Sequence, residues 1–281
     1  MFLLLVDPHT GETTPADLGT PLLAADDLSA IRGDGIFEAA LLRDGEIRAL
    51  DLHLRRFANS ARLMDLKGAS TEVWEPALRE AATAAADPGG DRIIRWFLSR
   101  GREGEDIPRG WIIVGPVPQS TLDERENGLS TVTLTHGTPA GISNEAPWLL
   151  IGAKSLSYAV ALAATRFAQA RGAGDAIYLT TDGFILEAPR ANVIIARGRT
   201  LLTPDPDLGL LHGTTQQFLF ERATAAGWDC RYARLRWEDL FENDGVWLVS
   251  STRMAVRVHT INGTPIHMEP ELEREIRDLM A

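Results

Sequence analysis

The chain has 281 residues, a formal net charge of −11, 44% hydrophobic residues and 24% charged residues, which suits a soluble globular protein with one large core or two moderate ones. Its single cysteine, Cys230, excludes an intrachain disulfide and suits the cytoplasm. The acidic balance argues against non-specific nucleic-acid binding, no stretch approaches the roughly 20 apolar residues of a membrane helix, and no Cys/His cluster has metal-ligand spacing.

In chain order, the apolar run at 1–6 meets Asp7-Pro8 and is too short, and lacks the basic flank, for a signal segment. Asp44-Gly45 between two apolar runs is a hairpin signal. Residues 53–66 carry Leu54, Phe57, Ala61 and Met64 at helical spacing. Residues 73–86 form an alanine-rich second helix, ended by Asp87-Pro88-Gly89-Gly90. Strands are expected at 93–99 and 111–117. The Pro-containing, charged stretch 116–128 reads as a linker, dividing the chain into a smaller domain at 1–118 and a larger one at 119–281.

The second half opens with strands at 130–135 and 148–151. A helix at 155–171 closes on Gly172-Ala173-Gly174. Asp182-Gly183 turns a hairpin between 176–180 and 184–186. Strands at 192–196 and 200–202, a helix from Gly213 to 226, a strand at 246–249 and a helix at 269–280 follow. The fold class is α+β.

Of the 28 basic residues only Lys67 and Lys154 are lysine. Arginine keeps its proton and is no amine nucleophile, so a lysine here marks where an amine is needed. Lys67, before Gly68 at a helix end, is an ordinary helix-terminal cation. Lys154 follows the apolar run 149–153 at an expected strand end, where desolvation frees an amine for Schiff-base chemistry; a lysine snorkelling at a strand edge fits that position too. Glu187 ends the strand 184–186 and suits a protonated pyridine nitrogen. Gly213-Thr214-Thr215 at a helix start and Ser250-Ser251-Thr252 after a strand offer N–H and hydroxyl donors to a phosphate. Arg56 adds a cation. Taken singly, each is equally a strand-end, capping or solvated residue.

Together these residues carry a resemblance. Arg32-Gly33-Asp34-Gly35-Ile36-Phe37-Glu38, His53-Leu54-Arg55-Arg56-Phe57, Lys154-Ser155-Leu156-Ser157-Tyr158, Glu187-Ala188-Pro189-Arg190-Ala191-Asn192, Gly213-Thr214-Thr215 and Val249-Ser250-Ser251-Thr252 stand in the order of the class IV (fold type IV) pyridoxal 5'-phosphate family. That family contains branched-chain aminotransferases, D-amino acid aminotransferases and 4-amino-4-deoxychorismate lyases. The resemblance implies two α/β domains with the cofactor between them, and a homodimer. It implies that Lys154 is the Schiff-base lysine and that Glu187 faces the pyridine nitrogen. Tyr158 would lie near the phenolic oxygen, and Arg56, Thr214, Thr215 and Ser251 would hold the phosphate. Asn192, Gly213 and Ser250 complete the cofactor candidates. Two stretches depart from the family: Glu187-Ala188-Pro189 replaces Glu-Gly-Ser, and Gly213-Thr214-Thr215 replaces Gly-Ile-Thr.

Within the family the chain resembles the actinobacterial branch of 4-amino-4-deoxychorismate lyases, in stretches such as Ser60 to Leu66, Ser99-Arg100-Gly101-Arg102-Glu103-Gly104 and Gly213-Thr214-Thr215-Gln216-Gln217. This implies release of pyruvate and 4-aminobenzoate, in folate biosynthesis. The Arg-x-His carboxylate trap of D-amino acid aminotransferases is absent, since 102–109 contains no histidine. Glu38, in contrast, matches the aminotransferases. A D-amino acid or branched-chain aminotransferase is therefore the alternative, and a non-catalytic phosphate-binding protein a third reading that Lys154 opposes. A substrate with two carboxylates calls for cations; Arg32, Arg95, Arg100, Arg190 and Arg253 are the candidates, with Glu38 beside them.

Overall fold

A computed structural model describes residues 1–85 and 90–281, folded as two compact units. The first comprises Met1–Pro118 together with Ala153–Tyr158; the second comprises Gln119–Gly152 and Ala159–Ala281.

The first unit contains β1 (Phe2–Val6), β2 (Thr13–Ala16), α1 (Leu28–Arg32), β3 (Gly35–Arg43), β4 (Glu46–Ile47), α2 (Leu50–Leu63), α3 (Thr71–Ala84), β5 (Arg92–Ser99) and β6 (Arg109–Pro116). Its sheet runs β2-β1-β6-β5-β3-β4 and is antiparallel throughout. Alternation along the strands sends Ile36, Ala40, Ile94, Trp96, Leu98, Ile112 and Val114 to one face. There they bury against Leu54 and Phe57 of α2 and Trp74 and Leu78 of α3. The turn between β3 and β4 places Asp44 at φ 51° and Gly45 at φ 80°, the left-handed pair that a two-residue hairpin requires. The expected helix stop at 87–89 lies outside the described residues.

The second unit contains α4 (Gln119–Asn127), β7 (Leu129–Thr135), α5 (Ile142–Glu145), α6 (Ala159–Gln169), β8 (Asp175–Leu179), β9 (Asn192–Arg197), β10 (Thr200–Pro204), α7 (Thr214–Ala225), β11 (Asp229–Ala233), β12 (Gly245–Ser250), β13 (Met254–Ile261), β14 (Thr264–Pro265) and α8 (Pro270–Leu279). Its mixed sheet runs β11-β10-β9-β12-β13-β7-β8, with β14 on β13. The central strands β9 and β12 bury both faces, which explains their continuous apolar runs. Val193, Ile195, Val246 and Leu248 pack with Ile177, Leu240 and Val256. Ile194, Ala196, Trp247 and Val249 pack under Leu219 and Ala223 of α7 and Ile276 of α8.

Three expectations need correction. The stretch read as a linker is helical over most of its length, as α4 (Gln119–Asn127). Residues 147–149 form a short 3-10 turn rather than a strand, because Pro147 starts it and Leu150 (φ 54°) and Gly152 (φ 89°) turn the chain through left-handed positions. The following helix begins at Ala159, because residues 154–156 pair with β3 instead: Phe37 N–H donates to Lys154 C=O (3.0 Å), and Leu156 N–H donates to Gly35 C=O (2.8 Å). Lys154 thus packs with the first unit, although the sequence division assigned it to the second half.

That approach depends on Gly35. A Cβ built there lies 2.6 Å from Leu98 O and 2.8 Å from Leu156 Cδ1, and the first of these is backbone that cannot rotate away. Gly35→Ala is expected to lower stability by about 1–3 kcal/mol, the range for overpacking a filled site. Gly19→Ala, where nothing lies within 4 Å of the new methyl, should change it by less than about 0.5 kcal/mol. Urea midpoints of the two variants test the contrast.

Candidate active site

In the first unit, α2 presents Arg56 and Ser60 one turn apart, on the same side of the helix. The Ser60 hydroxyl accepts from Lys154 N–H at 3.0 Å, so both backbone polar groups of the lysine are fixed. Its half-buried amine lies 4.5 Å from the Phe37 ring centroid and 5.8 Å from that of Tyr158. The two rings meet edge to face at 5.3 Å. Contact with aromatic faces is favourable for a cation and removes water from the amine.

Behind this amine lies a buried charge cluster. Glu38 is fully buried on β3. Arg56 donates to it through Nε at 2.6 Å and Nη2 at 2.8 Å, and His53 Nδ1 lies 2.8 Å from the same carboxylate. Burial pushes the Glu38 carboxyl up, but the charges of Arg56 and His53 and their hydrogen bonds more than reverse this and hold it far below the ordinary carboxylate range. Burial holds His53 below its ordinary 6.5; Glu38 opposes that shift, while the charges of Arg56 and Lys154 assist it.

In the second unit, Glu187 receives Leu211 N–H at 3.3 Å and Asn192 Nδ2 at 3.4 Å, and Asn192 also donates to Leu211 C=O at 2.9 Å. The Tyr178 phenol is pushed up to about 12 by burial, then by the charges of Asp175 and Glu187, so it stays neutral. Gly213 is the N-cap of α7 and offers no capping side chain, which leaves first-turn N–H groups to be satisfied from elsewhere. Its missing side chain admits Asn192: a Cβ at Gly213 would lie 2.0 Å from Asn192 Oδ1. Thr214 and Thr215 are buried, and the Thr215 and Ser251 hydroxyls lie 3.2 Å apart. The two hydroxyl-bearing turns therefore meet. The loop after β12 is held by Arg253 N–H on Ser250 Oγ at 3.4 Å and Arg125 Nε on Thr252 C=O at 2.9 Å.

The expected substrate cations separate clearly. Arg253 is buried between Asp175 and Glu124, the latter at 2.7 Å, and is a structural ion pair rather than a substrate ligand. Arg100 is likewise committed, to Asp34 at 2.7 Å and to the Asp65 and Met64 carbonyls at the end of α2 at 2.9 and 2.6 Å. Glu38 cannot face a substrate directly, since both oxygens serve Arg56 and His53. Arg32 and Arg190 are exposed. Arg95 is half-buried, and its Nε is buried with no partner among the described residues. It stands opposite Ala39, next to the opposed Phe37 and Phe97, on the sheet face that α2 does not cover. Lys67 is exposed and pairs with Asp106. Roles for His53 and Ser60 were not read from sequence; the helical spacing of 53, 56 and 60 was the available signal.

The model of the family described as amino-transferase class IV matches residues 35–261. A Mycobacterium tuberculosis protein named bifunctional aminodeoxychorismate lyase / D-amino acid transaminase is 46% identical over 91% of both chains. A solved structure described as a hypothetical aminotransferase from the same organism, in a PLP-bound form, superposes with a TM-score of 0.92 at 43% identity, covering 99% of this chain and 97% of that one. A fold IV transaminase from Curtobacterium pusillum superposes with a TM-score of 0.93 at 36% identity, covering 100% and 97%.

His53 generates a pH prediction. Its folded pKa lies below the unfolded value, so between the two the unfolded chain binds more protons. Stability is then lost as pH falls through 6.5, with a slope of at most about 1.4 kcal/mol per pH unit from this group. The melting temperature of the parent should fall between pH 7 and pH 5. His53→Asn, which keeps a donor near Nδ1 without a titrating ring, should fall less. Parallel profiles in the two proteins would remove His53 as the cause.

Proposed function

The chain belongs to the class IV aminotransferase family, and from that premise we propose that it is a 4-amino-4-deoxychorismate lyase with D-amino acid transamination as a side activity of the same site. Pyridoxal 5'-phosphate is its cofactor. The observation that carries the lyase reading is the likeness, across 91% of both chains, to the mycobacterial protein whose name pairs these two activities. A second supports it: 102–109 holds no histidine, and Arg102 is paired with Asp26 at 2.7 Å and Glu105 at 2.9 Å.

The donor set fits the cofactor chemically: an amine, a carboxylate, a cation and two hydroxyls at a helix N-terminus. Lys154 would carry the cofactor's carbonyl carbon. Glu187, oriented by Asn192 and Leu211 N–H, would face the ring nitrogen. Arg56, Thr214, Thr215, Ser251 and the first turn of α7 would hold the phosphate, with Ser250 and Gly213 shaping the two turns. Tyr158, beside the amine, would approach the phenolic oxygen. When bound, the cofactor supplies an electron sink for the carbon bearing the substrate amine.

In this reading Lys154 acts twice. Its amine, freed when the substrate amine takes its place on the cofactor, would remove the ring proton from the amine-bearing carbon. The carbon–oxygen bond to the enolpyruvyl group then breaks, with its electron pair leaving on oxygen, and the proton passes from Lys154 to the departing group to give pyruvate. The ring is left aromatic as 4-aminobenzoate, so no second substrate is required. Arg95 is the cation best suited to a substrate carboxylate, since it alone among the five candidates is half-buried with no partner for Nε among the described residues.

The test couples pyruvate release to lactate dehydrogenase while 4-aminobenzoate is followed by fluorescence. One-to-one products without added keto acid are expected, with slower D-alanine turnover in the presence of 2-oxoglutarate. Borohydride should fix the cofactor to the peptide carrying Lys154; attachment at Lys67, or D-alanine turnover without any 4-aminobenzoate, would overturn the reading.

Arg95→Met should raise KM for 4-amino-4-deoxychorismate by roughly tenfold to a hundredfold, from the loss of a charge-assisted contact. Cofactor affinity should stay at the parent value. An unchanged KM would remove Arg95 from the site.

A further inference from the structure

Arg56 approaches Glu38 along one edge of its guanidinium. Nε and Nη2 bind Oε1 and Oε2 at 2.6 and 2.8 Å, a two-pronged contact that fixes the plane of the group as well as its place. Glu38 cannot turn away. It is fully buried, its Oε2 also faces His53 Nδ1 at 2.8 Å, and the Ala39 N–H donates to the same oxygen at 3.3 Å. His53 is itself buried and lies edge to face with Trp96 at 5.8 Å, and Trp96 stands directly opposite Glu38 in the sheet. The carboxylate is thus anchored by strand β3, helix α2 and strand β5 together.

We propose that Glu38 is a positioning residue that orients Arg56 for the cofactor phosphate before the cofactor arrives. This rests on the assignment of Arg56 to the phosphate. A long arginine side chain loses rotamer freedom when it binds an anion, and a carboxylate that already holds it removes that loss from the binding step. The same carboxylate balances the buried cation before the cofactor binds, when an unpaired guanidinium would be costly. Both oxygens of Glu38 must be in place: a carboxylate on a side chain one methylene shorter would not reach Nε and Nη2 from the same backbone position.

The test is a thermodynamic cycle read by cofactor affinity of the apoenzyme, not by turnover. Pyridoxal 5'-phosphate, and pyridoxal without the phosphate, are titrated into the parent, Arg56→Ala, Glu38→Gln, Glu38→Asp and the Arg56→Ala/Glu38→Gln double variant, with melting temperatures measured alongside. The expected result is a roughly tenfold to hundredfold weaker affinity for pyridoxal 5'-phosphate in Arg56→Ala and in Glu38→Gln, and a similar loss in Glu38→Asp. The double variant should bind no more weakly than Arg56→Ala, and pyridoxal should bind the parent and Glu38→Gln equally. Should Glu38→Gln fail to fold, Glu38→Asp takes its place in the cycle. Parent-like affinity in Arg56→Ala would overturn the phosphate assignment and the proposal with it. Weak binding in Arg56→Ala with parent-like binding in the Glu38 variants would overturn the proposal alone. So would losses that multiply in the double variant, or an equal loss for pyridoxal, since Glu38 would then act by a route other than Arg56 and the phosphate.

Discussion

A short backbone pairing decides where the amine lies. Residues 154–156 come from the second half of the sequence but lie against β3, with Lys154 C=O and Leu156 N–H bonded to that strand and Lys154 N–H bonded to Ser60. A lysine side chain has four rotatable carbons, so its amine can be aimed only if its backbone is held. The strand that holds it also supplies its surroundings. Side chains alternate along β3, so Phe37 meets the amine while Glu38, the next residue, turns to the opposite face and takes Arg56 and His53. A one-residue slip of this strand would exchange the two roles.

Both units bury carboxylate–arginine groups, and neither is explained by stability alone. Removing two charges from water costs much of what their attraction returns, so what such a pair contributes is geometry. In the first unit it orients Arg56. In the second, Arg253 between Asp175 and Glu124 ties the loop after β12 to β8 and α4, and Arg125 caps Thr252 of the same loop. Each case uses the planar fork of arginine, which a lysine could not replace.

Much of this was legible in the sequence. Helices α2, α3, α7 and α8 and strands β5 to β10 and β12 follow from periodicity and turn residues, to within a few positions. The Asp44-Gly45 hairpin follows from two left-handed sites. Other features were hidden for physical reasons. The run Leu149-Leu150-Ile151 has strand composition, but Pro147 and Gly152 on either side and the left-handed Leu150 make it a turn. The delayed start of α6 reflects a tertiary pairing that overrides local helical propensity. In the candidate site, residue type singled out hydroxyl-bearing turns in the sequence, and the structure brings the Thr215 and Ser251 hydroxyls within 3.2 Å. Residue type did not separate arginines: Arg95, Arg100 and Arg253 are alike in sequence, and only their neighbours distinguish an ion pair from a guanidinium whose Nε has no partner among the described residues.

The scarcity of lysine has a consequence of another kind. Of the two lysine amines, Lys67 is exposed beside Asp106, and Lys154 is half-buried against aromatic rings. Acetyl, glycating and crosslinking groups that attack lysine amines therefore meet one open target on the surface and one in the proposed site. A mass increment at Lys154 would then serve as a direct count of open sites, with almost no background from the rest of the chain.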